Sequence, residues 1–122
     1  MKLTWFDLHK KYSISDERYP LSKRDISLGR IKELINKDED YFLCLRNRKR
    51  GEIYRHKGDG SLWAVYIRPS KTWKKQKTIW GQIDKMGLEL KQENDVEAVW
   101  VFSSNVFDQV ASILKIRKKK VK

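Results

Sequence analysis

Cysteine is almost missing from this chain. Cys44 alone occurs in 122 residues, so no disulfide within the chain and no cysteine-based zinc cluster can form. Its neighbours in Tyr41–Leu45 are apolar, which predicts a small buried hydrophobe rather than a reactive thiol. Proline occurs only as Pro20 and Pro69, both where an element boundary is expected. Histidine occurs only as His9 and His56. No apolar run approaches the roughly 20 residues needed to span a bilayer, and the first residues lack the apolar stretch of a signal peptide. Together these absences predict an intracellular, cytoplasmic protein with no transmembrane segment. There is no internal repeat, Gly-rich phosphate loop, serine-nucleophile motif or His-x-x-x-His zinc pattern, so neither a cofactor nor a metal is expected.

What the chain does have is positive charge, unevenly placed. Residues 46–77 hold 11 Lys and Arg against 2 acids, and residues 115–122 hold 6 against none. The formal net charge is +12, yet the other 82 residues sum to −3. A near-neutral scaffold carrying a basic central segment and a basic C-terminal tail points to a polyanionic partner, and nucleic acid is the commonest. The length predicts one domain over residues 1–114, able to bury about two-thirds of its unfolded surface, followed by the tail, 115–122. A hydrophobic content of 39% with five Trp supports a folded chain.

The pattern along the chain predicts an α+β fold. A mostly antiparallel sheet of four or five strands carries helices on one face, in the order α-β-β-β-α-β(β)-α. Residues 1–21 resist assignment: Trp5, Phe6 and Leu8 suit a short helix or strand, and Ser13–Pro20 reads as loop. Leu28, Ile31, Leu34 and Ile35 recur at helical spacing in a helix starting near Asp25. Tyr41–Arg46, Glu52–Lys57 and Ser61–Arg68 read as three strands. The first pair is joined by a turn at Arg48–Gly51 and the second by Gly58-Asp-Gly60, whose Asp-Gly pair supplies the positive φ of a tight hairpin. The third strand is apolar on both faces, which marks it as central. After Pro69 a helix capped by Ser70 or Thr72 runs to about Met86, with Gly87 as its C-terminal stop. Strands at Leu88–Lys91 and Val96–Phe102 follow. A last helix opens at Ser103 or Ser104, or at Asn105, with Val106, Phe107, Val110, Ile113 and Leu114 as its apolar face.

Lysine at a helix start is the sharpest local signal. The N-terminal end of a helix carries about half a positive charge and free N–H groups. This chain places Lys71, Lys74, Lys75 and Lys77 there, with no acid before Asp84. An anion seated at that end would collect the N–H donors, the dipole and the lysines. Trp73 among them suits a core anchor or a stacking platform for a base. Arg46, Arg48, Lys49 and Arg50 surround the first hairpin turn, and arginine's planar fork fits phosphate oxygens and guanine edges. Arg55 and Lys57 alternate along the next strand, and with Arg68 they extend the expected basic stripe across the sheet. Arg117, Lys118, Lys119 and Lys120 of the tail add sequence-independent attraction to nucleic acid or to an anionic membrane surface.

The helix-strand-strand-strand-helix order of residues 25–86, with Lys74-Lys-Gln-Lys77 opening the second helix, resembles a double-stranded-RNA-binding domain. That resemblance implies phosphate contacts from this helix start. The alanine-rich remainder of that family's helix is replaced here by Trp80, Ile83 and Met86. Extended by the following strand, the helix-three-strand-helix-strand order is similar to the core of restriction-type nucleases, which hold a divalent metal with an acid on the second strand and Glu-x-Lys on the third. Here the third strand ends Tyr66-Ile-Arg68, and Glu89-Leu-Lys91 falls on a later strand, with Glu52 and Asp59 as further carboxylates. His56, in Tyr54-Arg-His-Lys57, also suits the general base of a metal-independent ribonuclease beside cations that stabilise phosphate charge, and His9 is the only other histidine the fold can bring to it.

The expected function is therefore nucleic-acid binding, DNA or RNA, through a basic sheet face and a lysine-rich helix start, without catalysis. A nuclease centred on His56 or on Glu52, Asp59, Glu89 and Lys91 is the first alternative. The second is a regulator or inhibitor that docks on an acidic protein surface, for which five Trp offer a hot-spot patch.

Overall fold

The computed structural model describes residues 3–18, 26–47, 50–56, 62–67, 73–93 and 97–118, with the backbone only for 73–77. The expected Asp-Gly turn, the Ser70 or Thr72 cap, and Arg48, Lys49, Lys57, Asp59, Arg68, Lys71, Lys119 and Lys120 lie outside the described residues. The elements are α1 (Trp5–Lys11), β1 (Ser15–Asp16), α2 (Leu28–Asn36), β2 (Leu43–Asn47), β3 (Gly51–Arg55), β4 (Leu62–Ile67), α3 (Trp73–Asp84), β5 (Glu89–Glu93), β6 (Ala98–Ser103) and α4 (Phe107–Ile113). Single 3-10 turns at Asp40–Phe42 and Ser104–Val106 precede β2 and α4.

The α+β architecture is as expected. Among the described residues the sheet has six strands rather than four or five, in the order β1-β2-β3-β4-β6-β5. Every neighbouring pair is antiparallel. The additional strand is β1. Ser15 pairs with Cys44 and Asp16 with Leu43, inside the stretch expected to be loop. Two residues are too short to leave a periodic signal, and the pairing is set by β2 from nearly thirty residues away. β4 is interior as expected, flanked by β3 and β6, and its hairpin with β3 is closed by His56 N–H donating to the Leu62 carbonyl at 3.0 Å.

Local chemistry accounts for the helix ends. Thr4 and Asp7 form a reciprocal capping box on α1. The Ser27 hydroxyl accepts from the Arg30 N–H at the start of α2, so that helix begins at Leu28. Leu28 itself is exposed, and the buried face is Ile31 and Leu34. Gly87, with φ of 70°, follows α3, in the left-handed conformation that glycine adopts without a Cβ clash. Α4 is preceded by the 3-10 turn, and no side chain caps either segment.

The core lies on one face of the sheet. Leu43, Leu45, Ile53, Trp63, Val65, Ile67, Ala98, Trp100 and Phe102 meet Trp5, Leu8, Ile31, Leu34, Ile79, Ile83, Phe107, Val110 and Leu114 from the four helices. Its centre is aromatic. Trp63 packs edge-on against Trp5 at 5.2 Å and against Phe107 at 5.0 Å, and Trp80 packs edge-on against Trp100 at 5.6 Å. Such pairs contribute about 0.5–1.5 kcal/mol each beyond the area they bury. Trp5, Trp63 and Trp100 are buried, so they belong to the core and not to a docking patch. The folded chain continues past α4. Ile116 is buried, the Ser13 N–H donates to the Arg117 carbonyl, and Tyr12 forms a β-bridge with Lys118.

Candidate functional site

Strand alternation leaves the second face of the sheet uncovered by the helices that form the core. Register places Cys44, Tyr54, Ala64, Val101 and Glu89 in one row across it, and Arg46, Glu52, Tyr66 and Val99 in the next. A hollow of about 460 Å³ opens on this face. It is lined by Glu17, Tyr41, Glu52, Tyr54, His56, Ala64, Lys91, Gln92, Val99 and Val101. Ala64 makes the depression possible, because its short side chain sits between Tyr54 and Val101 in the register. Glu17 is delivered by the turn after β1, where its N–H donates to the Phe42 carbonyl at 2.9 Å. Lys91 and Gln92 arrive together because the β5–β6 ladder shifts register between Leu90 and Gln92, a bulge that re-aims side chains at a sheet edge.

The electrostatics of this face are mixed. Glu52 stands opposite Arg46 in the β2–β3 register, Lys91 Nζ lies 2.7 Å from Glu89 Oε1, and the Tyr66 hydroxyl donates to Glu97. Burial, reinforced by the charges of Glu52 and Glu17, raises the pKa of the Tyr54 hydroxyl. The same burial and carboxylates push the Cys44 thiol up to about 12, against the opposing charge of Arg46. Cys44 is thus a buried, protonated thiol, as its apolar setting predicted.

The expected basic sheet face is not assembled from the described arginines. Arg46 lies on the open face, but Arg55 lies on the helix-covered one. Its Nη2 donates to the Leu3 carbonyl at 3.0 Å, and its guanidinium stacks 4.9 Å over the Trp63 ring. Burial lowers its pKa, against the raising charge of Asp40. The reason is parity: Arg55 follows Ile53 by two, and Ile53 is core. Arg50 is likewise engaged, donating from Nη1 to the Ile113 carbonyl at 3.0 Å at the end of α4. Asn47 donates to the Lys115 carbonyl beside it. These two bonds fasten the β2–β3 hairpin to the end of α4, where donors meet the last carbonyls and the negative end of the helix dipole.

Lys74, Lys75 and Lys77 fall in the first two turns of α3, which begins at Trp73 and has no acid in its first turn. Arg117 and Lys118 are exposed. Of the residues proposed for catalysis, Glu52, His56 and Lys91 line one hollow, and Glu89, which is not part of that lining, is ion-paired with Lys91. His9 lies in α1, which packs in the helix layer. Among the described residues no group of three or more His, Cys, Asp or Glu is arranged to hold a metal, and no helix is long and apolar enough to cross a membrane. Sequence reading missed Glu17, Tyr41 and Gln92. Nothing local marks them, because they reach the hollow through the β1–β2 pairing, a 3-10 turn and the β5 bulge. No protein-family model, curated protein or solved structure matches this chain.

Proposed function

We propose that this protein binds nucleic acid, and that unpaired strands are its preferred form. The observation that carries this reading is an antiparallel sheet face that none of the described helices covers, bearing Tyr54 and Tyr66, with Tyr41 of the 3-10 turn beside its hollow, in a chain of net charge +12. An exposed sheet with aromatic rings is a stacking platform for bases splayed from their partners. The lysines at the start of α3 and the C-terminal cations supply the sequence-independent attraction to phosphate. Because the open face itself mixes acids with bases, it suits base edges better than the backbone. The phosphates are assigned to Lys71, Lys74, Lys75 and Lys77, with Arg46 and the tail from Arg117 extending the path.

Fluorescence anisotropy across a salt series tests this. Affinity for a single-stranded oligonucleotide falls steeply with salt, with a log–log slope of about −0.7 per phosphate neutralised. Replacing Lys71, Lys74, Lys75 and Lys77 with Gln weakens binding and flattens that slope. A flat salt response, or affinity indifferent to those substitutions, refutes the reading.

A second reading is favoured by one observation: Glu52, His56 and Lys91 share the same hollow. A carboxylate, an imidazole and an ammonium are the groups a metal-independent ribonuclease uses as base, acid and charge stabiliser. Incubation with single- and double-stranded RNA and DNA, with Mg²⁺ and with a chelator, decides it, since intact substrate in every case removes catalysis.

A further inference from the structure

The segments that follow α1 and α4 are laid against each other. Helix α4 stops with Lys115 in the left-handed conformation, at φ 52°. The Lys115 N–H donates to the Ser112 carbonyl at 3.1 Å and the Ile116 N–H to the Ala111 carbonyl at 3.0 Å, the pair of bonds that turns a chain sharply as it leaves a helix. Ile116 is buried, so the residues after it are held against the fold. Helix α1 ends at Tyr12, whose extended backbone forms an antiparallel bridge with Lys118, and the Ser13 N–H donates to the Arg117 carbonyl at 3.0 Å. Lys10 and Lys11 stand in the last turn of α1. The pairing therefore sets Lys10 and Lys11 beside Arg117 and Lys118, and all four are exposed. Asp108, in the first turn of α4, stands where they meet. Its Oδ1 accepts from the Tyr12 hydroxyl at 2.6 Å and its Oδ2 from Lys11 Nζ at 2.9 Å. These two bonds, opposed by burial and helped by the charges of Lys11 and Lys118, hold its carboxyl below the usual value. Lys118 is thus within electrostatic reach of the carboxylate that Lys11 touches.

We infer that Lys10, Lys11, Arg117 and Lys118 form a second contact surface for the phosphates of a single strand, a reading that rests on the nucleic-acid function proposed above and adds α1 to its interface. The ammonium groups that meet at Asp108 are already arranged around an anion, and a phosphate offers them oxygen acceptors of the same kind. Lys11 gives up the carboxylate at little cost. The side chains of that pair are 60% and 63% exposed, and exposed pairs contribute little to stability. Asp108 is then an internal counter-ion with which the strand competes. The backbone pairing matters as well, because cations on an ordered segment lose less freedom on binding than cations on a loose arm. An anionic membrane is the rival partner for a basic surface. A helix that lies on a membrane presents a whole apolar face to it. In α1, Trp5 and Leu8 are turned into the core, which leaves Phe6, 37% exposed, one turn before Lys10. A single ring among cations suits stacking by an unpaired base.

The experiment measures binding of the full chain to a labelled single-stranded oligonucleotide of mixed sequence across a salt series. Replacing Lys10, Lys11 and Lys118 together with Gln weakens binding and makes the log–log salt slope shallower by about two, at about 0.7 per phosphate. Asp108→Asn acts in the opposite direction. It keeps an acceptor for the Tyr12 hydroxyl, removes the competing charge and tightens binding about two- to fivefold at low salt. A merely structural role for Asp108 does not raise affinity. Circular dichroism with a thermal melt verifies that both variants fold. Affinity and slope unchanged in the triple variant overturn this surface and leave the proposed function to the α3 lysines. Binding by Asp108→Asn no tighter than the parent's also overturns it. If the triple variant loses binding to phosphatidylserine vesicles while its oligonucleotide affinity holds, the surface is a lipid contact and the proposal is wrong. Absence of oligonucleotide binding by the parent at low salt refutes the underlying function, and the inference falls with it.

Discussion

Replacing Asp16 with Asn tests how β1 is attached to the fold, and with it the position of Glu17 at the hollow. Asp16 is completely buried. Its Oδ1 accepts from the Arg18 N–H and Nε, both at 3.0 Å, and its Oδ2 accepts from Arg18 Nη2 at 2.7 Å. Arg30 stands 3.9 Å away. Burial raises the Asp16 pKa, but the Arg18 hydrogen bonds and the charges of Arg18 and Arg30 outweigh it and hold the carboxyl below its usual value. Asn keeps one acceptor and turns an NH₂ toward a guanidinium, so at least one charge-assisted bond becomes a clash of donors. Bonds of that kind contribute about 1.5–3 kcal/mol each. Arg18 is 37% exposed, and water recovers part of its loss, which brings the expected cost to about 2–3 kcal/mol. For a chain of this size that lowers Tm by about 10 °C.

The pH dependence of this loss has a definite sign. A depressed folded-state pKa means the stabilisation is fully present above the unfolded value of about 3.9. It is lost as pH falls from there through the lower folded-state value. The gap between parent and variant is therefore constant from neutral pH to about 5 and closes below about 4. Thermal melts monitored by circular dichroism at a series of pH values measure it. A gap of under about 0.5 kcal/mol at neutral pH, or one that persists unchanged in acid, refutes the reasoning.

Other consequences are as direct. Arg55→Lys keeps the charge but loses the planar fork that reaches Leu3 and covers Trp63, so urea denaturation should show a loss of about 1–2 kcal/mol. Oligonucleotide affinity is unchanged, because Arg55 faces the helices; a drop in affinity at constant stability would contradict that placement. Gly51→Ala puts a Cβ 2.0 Å from the Tyr66 carbonyl oxygen, a backbone atom that cannot step aside, and destabilises by more than about 2 kcal/mol; an unshifted melt would show that the β3–β4 ladder is looser than its register implies. Cys44, buried and with its pKa pushed up to about 12, resists a thiol-specific disulfide reagent at pH 8 in the folded protein and reacts fully in urea. Rapid labelling of the native chain would mean that the open face admits solvent to β2.

The sequence by itself determined the fold class, the three-strand meander, the central place of β4 and the basic opening of α3. Those features rest on local signals: alternation along a strand, helical spacing, and the residue types that stop each element. It also determined that Cys44 is buried, because five consecutive residues around it are mostly apolar. The tertiary structure alone decided which parity of each strand meets the helices. Β4 is apolar on both parities, so only its pairing with β3 and β6 shows that Trp63, Val65 and Ile67 face the core and that Ala64 floors a hollow. The same choice turned Arg55 inward and left Arg46 outside. It gathered Glu17, Tyr41, Glu52, His56 and Lys91, which lie up to 74 positions apart, into one recess. Side-chain alternation has period two, so a strand's own residues say which ones share a face but not which face is covered. That is decided by contacts with elements distant in sequence.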